Sequence, residues 1–356
     1  MEEREITIKP IFIDDVFRND KISINTNNCW SLFNSTQSTD NHPKSLMPPA
    51  DYHEVLNAGN TRFWINKFRD PSTYRTLVLD QEDLEWIRKA TSIGAITGKF
   101  SELFEEDLKW TLEKNKMHDE WISKGEWFIR TEGVSLKNGI YGTGPYTNLE
   151  MVLKSIVSSN RTHRCFEDND KMMTLYFLPF IKGLDHLKEF RVFVFQGEIT
   201  AISQQSLYHQ NPWLTYLYNE NMLETLIREK ILIPFKELIK PKMAGYLTNY
   251  VMDYALLQDP NHNSSELTSE FVHSLTPYFI EPNCWGANYA AGSSLFGWIQ
   301  DHEKLHDSKS VEFRFTLASN EILKDYERNM GARREGTQTA QKVAQKAIQK
   351  ATREAE

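Results

Sequence analysis

The 356-residue chain is 40% hydrophobic and carries a net charge of -8, so it can fill the core of one large or two smaller domains. The acidic balance argues against an extended nucleic-acid surface, and no apolar run reaches the roughly 18 residues that a membrane span needs. Cys29, Cys165 and Cys284 are too few and too scattered for a disulfide framework or a zinc pattern, and the acidic start MEEREITIKPIFIDDVF lacks the apolar centre of a secretion signal. A cytoplasmic location is therefore expected.

In chain order, residues 1–20 mix apolar and acidic positions and read as a strand or docking arm. Residues 26–50, ending in HPKSLMPPA, are loop by composition. Residues 81–118 are expected to be helical: Ser101 stands where a cap belongs, and Phe104, Leu108 and Leu112 share a face. EWFIRT, residues 126–131, reads as a strand running into a flexible glycine-containing stretch, EGVSLKNGIYGTGPY. A helix is predicted over 148–160, a strand over 172–180 and a loop over 182–188.

EFRVFVFQGEITAISQQ, residues 189–205, is the centre of the pattern. Phe190, Val192 and Val194 point one way and Arg191, Phe193 and Phe195 the other, with a turn at 196–198 and a returning strand, which makes a β-hairpin. Residues 213–240 read as helix interrupted at Pro234. Two further strands, YVMDY (250–254) and YFIEPN (278–283), each carry a carboxylate, and Ser293 is expected to begin another helix. The tail TAQKVAQKAIQKATREAE repeats its apolar residues at helical spacing. It is expected to be a largely solvated amphipathic helix, with docking or pairing as alternatives.

A buried strand arginine needs an anion, so a cationic strand followed by two carboxylate strands is what a nucleotide–magnesium site requires. Arg130 and Lys137 flank the glycine-containing loop and are placed to reach phosphates, with Ser135 as a further donor. Leu178, Phe180 and Ile181 end a strand and offer an apolar adenine slot. Arg191 adds a cation, while Asp253, Glu281 and Asn283 are three hard oxygen ligands for Mg²⁺. Each has a plainer reading: Arg191 as a structural ion pair, Lys137 as a solvated loop lysine, Asp253 as a strand end. The loop itself fits neither common phosphate-binding glycine pattern.

Taken in order, these segments resemble the cell-division-cycle-protein-123 family, a divergent branch of the ATP-grasp fold. EFRVFVF…ISQQ is similar to that family's EFR…ISQR hairpin, and YVMDYA to its Y-V-x-D strand. YFIEPNCWG followed by SSLFGW is similar to its metal-strand segment, LEMVLKSIVSS to its LLKSS helix, and EWFIRTEGVSLKNG to its lysine-containing loop. HPKSLMPPADYHEVL is a fainter echo of its N-terminal segment. The resemblance spans roughly residues 42–300. It implies an α/β (α+β) ATP-grasp-like fold in which two lobes of mostly antiparallel sheet and flanking helices clamp ATP.

The implied organisation is an N-terminal extension with the start of the first lobe (1–80), the rest of that lobe (81–181), a second lobe bearing the metal strands (182–330) and a terminal helix (331–356). ATP and Mg²⁺ are the implied cofactors, with Arg130, Ser135, Lys137 and Arg191 on the nucleotide and Asp253, Glu281 and Asn283 on the metal. The implied activity is that of an assembly chaperone for a protein client resembling the γ subunit of eukaryotic initiation factor 2; the alternative is an ATP-dependent carboxylate–amine ligase. Arg130 stands for a lysine, Glu281 for an aspartate, Asn138 for an aspartate, and ISQQS for ISQRD, so family charges are missing at Asn138 and in ISQQS.

Two rival readings remain. HEKLH, residues 302–306, matches the zinc-peptidase pattern H-E-x-x-H, but the flanking Asp301 and Asp307 favour a solvated helix end. A nucleotide-free scaffold presenting Trp285 and Trp298 to a protein partner is the other.

Overall fold

The structure is a computed structural model describing residues 4–16, 51–161, 171–207, 209, 220–258, 268–286, 289, 294–298 and 301–317; structural statements refer to these. The Asn/Ser/Pro-rich stretch 26–50 and the amphipathic tail lie outside the described residues.

The chain opens with β1 (Glu5–Phe12), which joins the larger of two sheets. Helices α1 (Tyr52–Ala58) and α2 (Thr61–Phe68) lead into β2 (Arg75–Leu79). Asp80 then starts α3 (Gln81–Thr97) through a reciprocal capping box with Asp83. Next come α4 (Glu105–Lys114), α5 (Lys116–Ile122), β3 (Trp127–Arg130), α6 (Leu149–Ser158) and β4 (Met173–Pro179). Strands β2, β4 and β3 form a small antiparallel sheet in that order. One face buries Leu77, Leu79, Ile129, Leu175 and Phe177 against α3–α6.

Leu108 is buried on this core with Phe104 and Leu112 half-buried beside it, as their spacing predicts. Ser101, expected as a cap, makes no side-chain cap hydrogen bond; a short 3₁₀ turn (Glu102–Phe104) intervenes before α4 begins.

The second sheet has six strands in the order β1-β9-β6-β5-β7-β8: β5 (Glu189–Phe195), β6 (Glu198–Gln204), β7 (Tyr250–Leu257), β8 (Thr276–Asn283) and β9 (Ser310–Leu317). Its β6–β5–β7–β8 half is antiparallel, whereas β9 runs parallel to both β1 and β6. Gln196 (φ 52°) and Gly197 (φ 73°) turn the β5–β6 hairpin in the left-handed region that a two-residue hairpin loop requires. Asn249 Oδ1 accepts from the Gln196 N–H at 2.7 Å and steadies a non-glycine residue there.

Alternation along β5 sorts the two faces as expected. Phe190, Val192 and Val194 enter a core with Met252, Tyr254, Phe313 and Phe315. Phe193 enters a smaller one on the opposite face with Ala201, Val251, Phe296 and Trp298. Two sequence expectations need correction. Residues 294–298 form bends and turns rather than a helix, because Ser294 Oγ closes a local turn on Phe296 and Phe296 itself is drawn into the core. Pro234 does not interrupt its helix: it keeps helical angles (φ −61°, ψ −35°) between two wider π-helical turns, Arg228–Leu232 and Phe235–Ile239, and bulges of this kind accommodate a missing N–H.

Candidate functional site

The site forms where the two sheets meet. Register places Arg191 on β5 directly opposite Asp253 on β7, and Asp253 directly opposite Glu281 on β8. The same cross-strand row continues through Ser203 on β6 and Arg314 on β9 to Lys9 on β1. Arg191 and Asp253 are 5% and 4% exposed, and their ion pair spans 3.3 Å from Nη2 to Oδ1. Asn283 lies opposite Val251, one row further along the same face, as its two-residue offset from Glu281 predicts.

The small sheet supplies the opposing wall. Arg130 ends β3, and its Nη2 donates to Glu281 Oε2 at 2.5 Å across the cleft. Its Nε donates to Thr61 Oγ1 at 2.8 Å, and its guanidinium lies 4.8 Å over the Trp64 ring. Between the walls is a cavity of about 330 Å³, a size suited to a small molecule. Its apolar lining comes from Phe128, Leu178, Pro179, Phe180, Ile181 and Leu184. Its charged lining comes from Arg130, Lys137, Glu189, Asp253 and Glu281, with Ser135 and Thr143 from the loop after β3.

That loop was expected to be flexible, but it is tied down. Ser158 Oγ and Ser155 Oγ accept the N–H groups of Ile140 (2.9 Å) and Tyr141 (3.3 Å), and Tyr146 Oη donates to the Gly142 carbonyl at 2.8 Å. At Gly139 a Cβ would stand 2.5 Å from the Ser155 carbonyl, so only glycine lets the loop lie this close to α6. Ser155 of α6 thus anchors the loop that carries Ser135 and Lys137.

Electrostatics separate the three carboxylates. Burial would raise Glu281, but Arg130, then Lys137 and Arg191, together hold it below the ordinary carboxylate range. Burial pushes Asp253 up despite Arg191, and the neighbouring Glu281 pushes it further. Glu189 is raised to about 7, chiefly by burial and then by Asp253 and Glu281. With its amide turned to match its neighbours, Gln205 donates to Glu189 Oε2 at 2.8 Å and accepts from Arg191 at 2.9 Å.

A carboxyl raised in the folded state contributes stability while protonated and loses it as pH climbs. The loss here falls between about 4.5, its ordinary value, and about 7. Glu189→Gln is therefore expected to raise the melting temperature more at pH 8 than at pH 5, by a free-energy difference of at most about 3 kcal/mol. Equal shifts at both pH values would mean that Glu189 is not charged against this cluster.

Of the residues singled out from sequence, Arg130, Ser135, Lys137, Leu178, Phe180, Ile181, Asp253 and Glu281 line the cavity. Arg191 and Asn283 do not: Arg191 stands behind Asp253, and Asn283 lies beyond Glu281. Sequence reasoning missed Glu189, which the period of two placed on the face of Arg191. It also missed Trp64, Arg69 and Tyr278. Arg69 caps the end of α2, lies 4.4 Å over the Tyr278 ring and donates to the Phe279 carbonyl at 2.5 Å; no local pattern marks it.

The oxygen donors suit a hard divalent cation. Asp253 Oδ1 accepts no hydrogen bond, and Asn283, near enough to lower the Asp253 pKa, donates none of good geometry from its buried Nδ2. Among the described residues no three His, Cys, Asp or Glu side chains are grouped to hold a metal; this set has two carboxylates and an amide. The H-E-x-x-H pentad is arranged differently from a peptidase helix. Its helix spans only His302–Leu305, the two imidazoles stack 4.1 Å apart, and His306 Nδ1 lies 2.7 Å from the His302 carbonyl. Asp301 and Glu312 are both taken by Arg314 at 2.6 Å. Trp285 and Trp298 pack edge to face 5.0 Å apart against Phe193, with Trp298 in the core and Trp285 half-buried beside it.

Two β-sheets with flanking helices around a charged cleft define an α/β fold. Among solved structures, the chain is similar to Cdc123 from Schizosaccharomyces pombe (15% identity, TM-score 0.46) and to its C-terminally truncated form (13%, 0.46). Each comparison covers 75% of this chain and 98% of the other. No family model matches the chain, and no curated protein does. No helix among the described residues is long and apolar enough to cross a membrane.

Proposed function

We propose that the cleft binds ATP with Mg²⁺ and that the chain acts as an ATP-dependent assembly chaperone of the cell-division-cycle-protein-123 type. The observation that carries the nucleotide reading is the cross-strand row Arg191–Asp253–Glu281 facing Arg130 beside a cavity lined by both apolar and charged side chains. The apolar lining takes the adenine. Arg130 and Lys137, with the Ser135 hydroxyl, take the phosphates. Asp253, Glu281 and Asn283 would hold the Mg²⁺, which when bound neutralises phosphate charge. Arg191 supports the site from behind by fixing the Asp253 carboxylate.

The chaperone role and a client resembling the γ subunit of initiation factor 2 rest on the sequence resemblance, as does the ligase alternative. The two part over a phosphate acceptor: a chaperone couples nucleotide to client binding, and a ligase forms an acyl phosphate.

The test is a thermal shift of the purified chain with ATP, with and without Mg²⁺. Ligand bound only by the native state raises the melting point by mass action, about 2.7 kcal/mol at a hundredfold excess over Kd. A rise that depends on Mg²⁺ is the expected result, and no rise with either would remove the nucleotide from the reading.

A further inference from the structure

Thr61 opens α2 and is fully buried, at the point where three chain segments converge. Its Oγ1 lies 2.8 Å from the Thr131 carbonyl, 2.9 Å from the Glu132 carbonyl and 2.8 Å from Arg130 Nε. A hydroxyl has one proton to give, so it donates to one of the carbonyls just after β3 and accepts from Arg130. Its own N–H donates to the Glu132 carbonyl at 2.8 Å. The Glu132 carboxylate in turn accepts from the Arg62 N–H (3.0 Å) and the Tyr176 hydroxyl (2.7 Å). The first turn of α2 is thereby bolted to the end of β3.

Arg130 consequently has little freedom. Thr61 holds Nε, the Trp64 ring lies under its plane, and Nη2 is engaged by Glu281. Nη1 donates to no described residue, and the side chain lines the cavity. A guanidinium fixed at one edge and one face can present its remaining edge to an oxyanion without losing much rotamer freedom, and the value of an arginine fork lies in that preorganisation.

We infer that Thr61 is a positioning residue: through its hydroxyl it sets the Arg130 guanidinium so that Nη1 meets the phosphates of the bound nucleotide. This makes α2, which precedes the small sheet in the chain, part of the site's working wall. The inference rests on the nucleotide reading of the cleft.

The experiment compares ATP and adenosine affinities by calorimetry in Mg²⁺ buffer for wild type, Thr61→Val and Thr61→Ser. Thr61→Val keeps the shape and removes the hydroxyl. It is expected to weaken ATP about tenfold, as for the loss of one hydrogen bond to a charged group, while adenosine binding stays within about twofold. Thr61→Ser is expected to restore ATP affinity. In an Arg130→Gln background, Thr61→Val should add nothing. If the valine variant does not fold, Thr61→Ala takes its place in the same series.

Parallel losses for ATP and adenosine, or no rescue by serine, would mark Thr61 as structural only and overturn the inference. Wild-type affinity in a folded Thr61→Val protein would do the same while leaving the nucleotide reading standing. Failure of the wild type to bind ATP would instead remove that reading, and the inference with it.

Discussion

Asp253→Asn is expected to abolish Mg²⁺-dependent ATP binding in a protein that still folds, whereas Asp253→Ala is expected to cost about 3 kcal/mol of stability as well. The difference lies behind the carboxylate. Arg191 is 5% exposed and pairs with Asp253 at 3.3 Å, so alanine leaves a buried guanidinium short of its counter-ion. Asparagine fills nearly the same volume and still offers Arg191 an oxygen acceptor. What asparagine cannot supply is a full negative charge toward a divalent cation. Denaturant unfolding separates the two variants, and titration with Mg²⁺–ATP reads the site. Wild-type affinity in Asp253→Asn would remove this residue from the metal set.

Arg130→Lys should weaken ATP by roughly ten- to a hundredfold, the range for one or two hydrogen bonds to a charged group, with the charge conserved. A lysine ammonium has no planar fork. It cannot hold Thr61 at 2.8 Å and Glu281 at 2.5 Å together, nor cover the Trp64 face with a flat cation. The substitution also creates the residue that the sequence resemblance has at this position, so an unchanged affinity would show that a point charge suffices here. Isothermal titration at two salt concentrations checks it. The residual binding of the lysine variant is expected to be the more salt-sensitive, because a mobile exposed charge is screened more than a pinned one.

Much of this was legible in the chain because strands have a period of two. Alternation in EFRVFVF put Arg191 and Phe193 on one face and the core residues on the other, and it grouped Glu281 with Asn283. The carboxylates of YVMDY and YFIEPN were visible as charges in apolar strands. Their direct opposition to Arg191 was not, because register depends on hairpin geometry and on the bulge between Asp253 and Tyr254.

The loop after β3 was misread as flexible because glycines signal freedom in sequence. Here one of them permits close packing on α6 instead. Arg69 and Thr61 left no local trace, since their roles arise from segments about seventy to two hundred residues away. Gln205, standing where the resemblance has an arginine, bridges Glu189 and Arg191 as a neutral amide. The carboxyl it serves has a pKa raised by burial and then by Asp253 and Glu281.

The position of β1 bears on how the protein is made. Glu5 pairs with Ser310, so β1 finds its neighbour on β9 some 305 residues further along the chain. At ordinary elongation rates that is a wait of roughly 15–60 s. The small sheet, complete by Pro179, can fold well within that interval. The large sheet acquires β1 only once β9 has been made, so β1 waits for its partner long after the small sheet is complete.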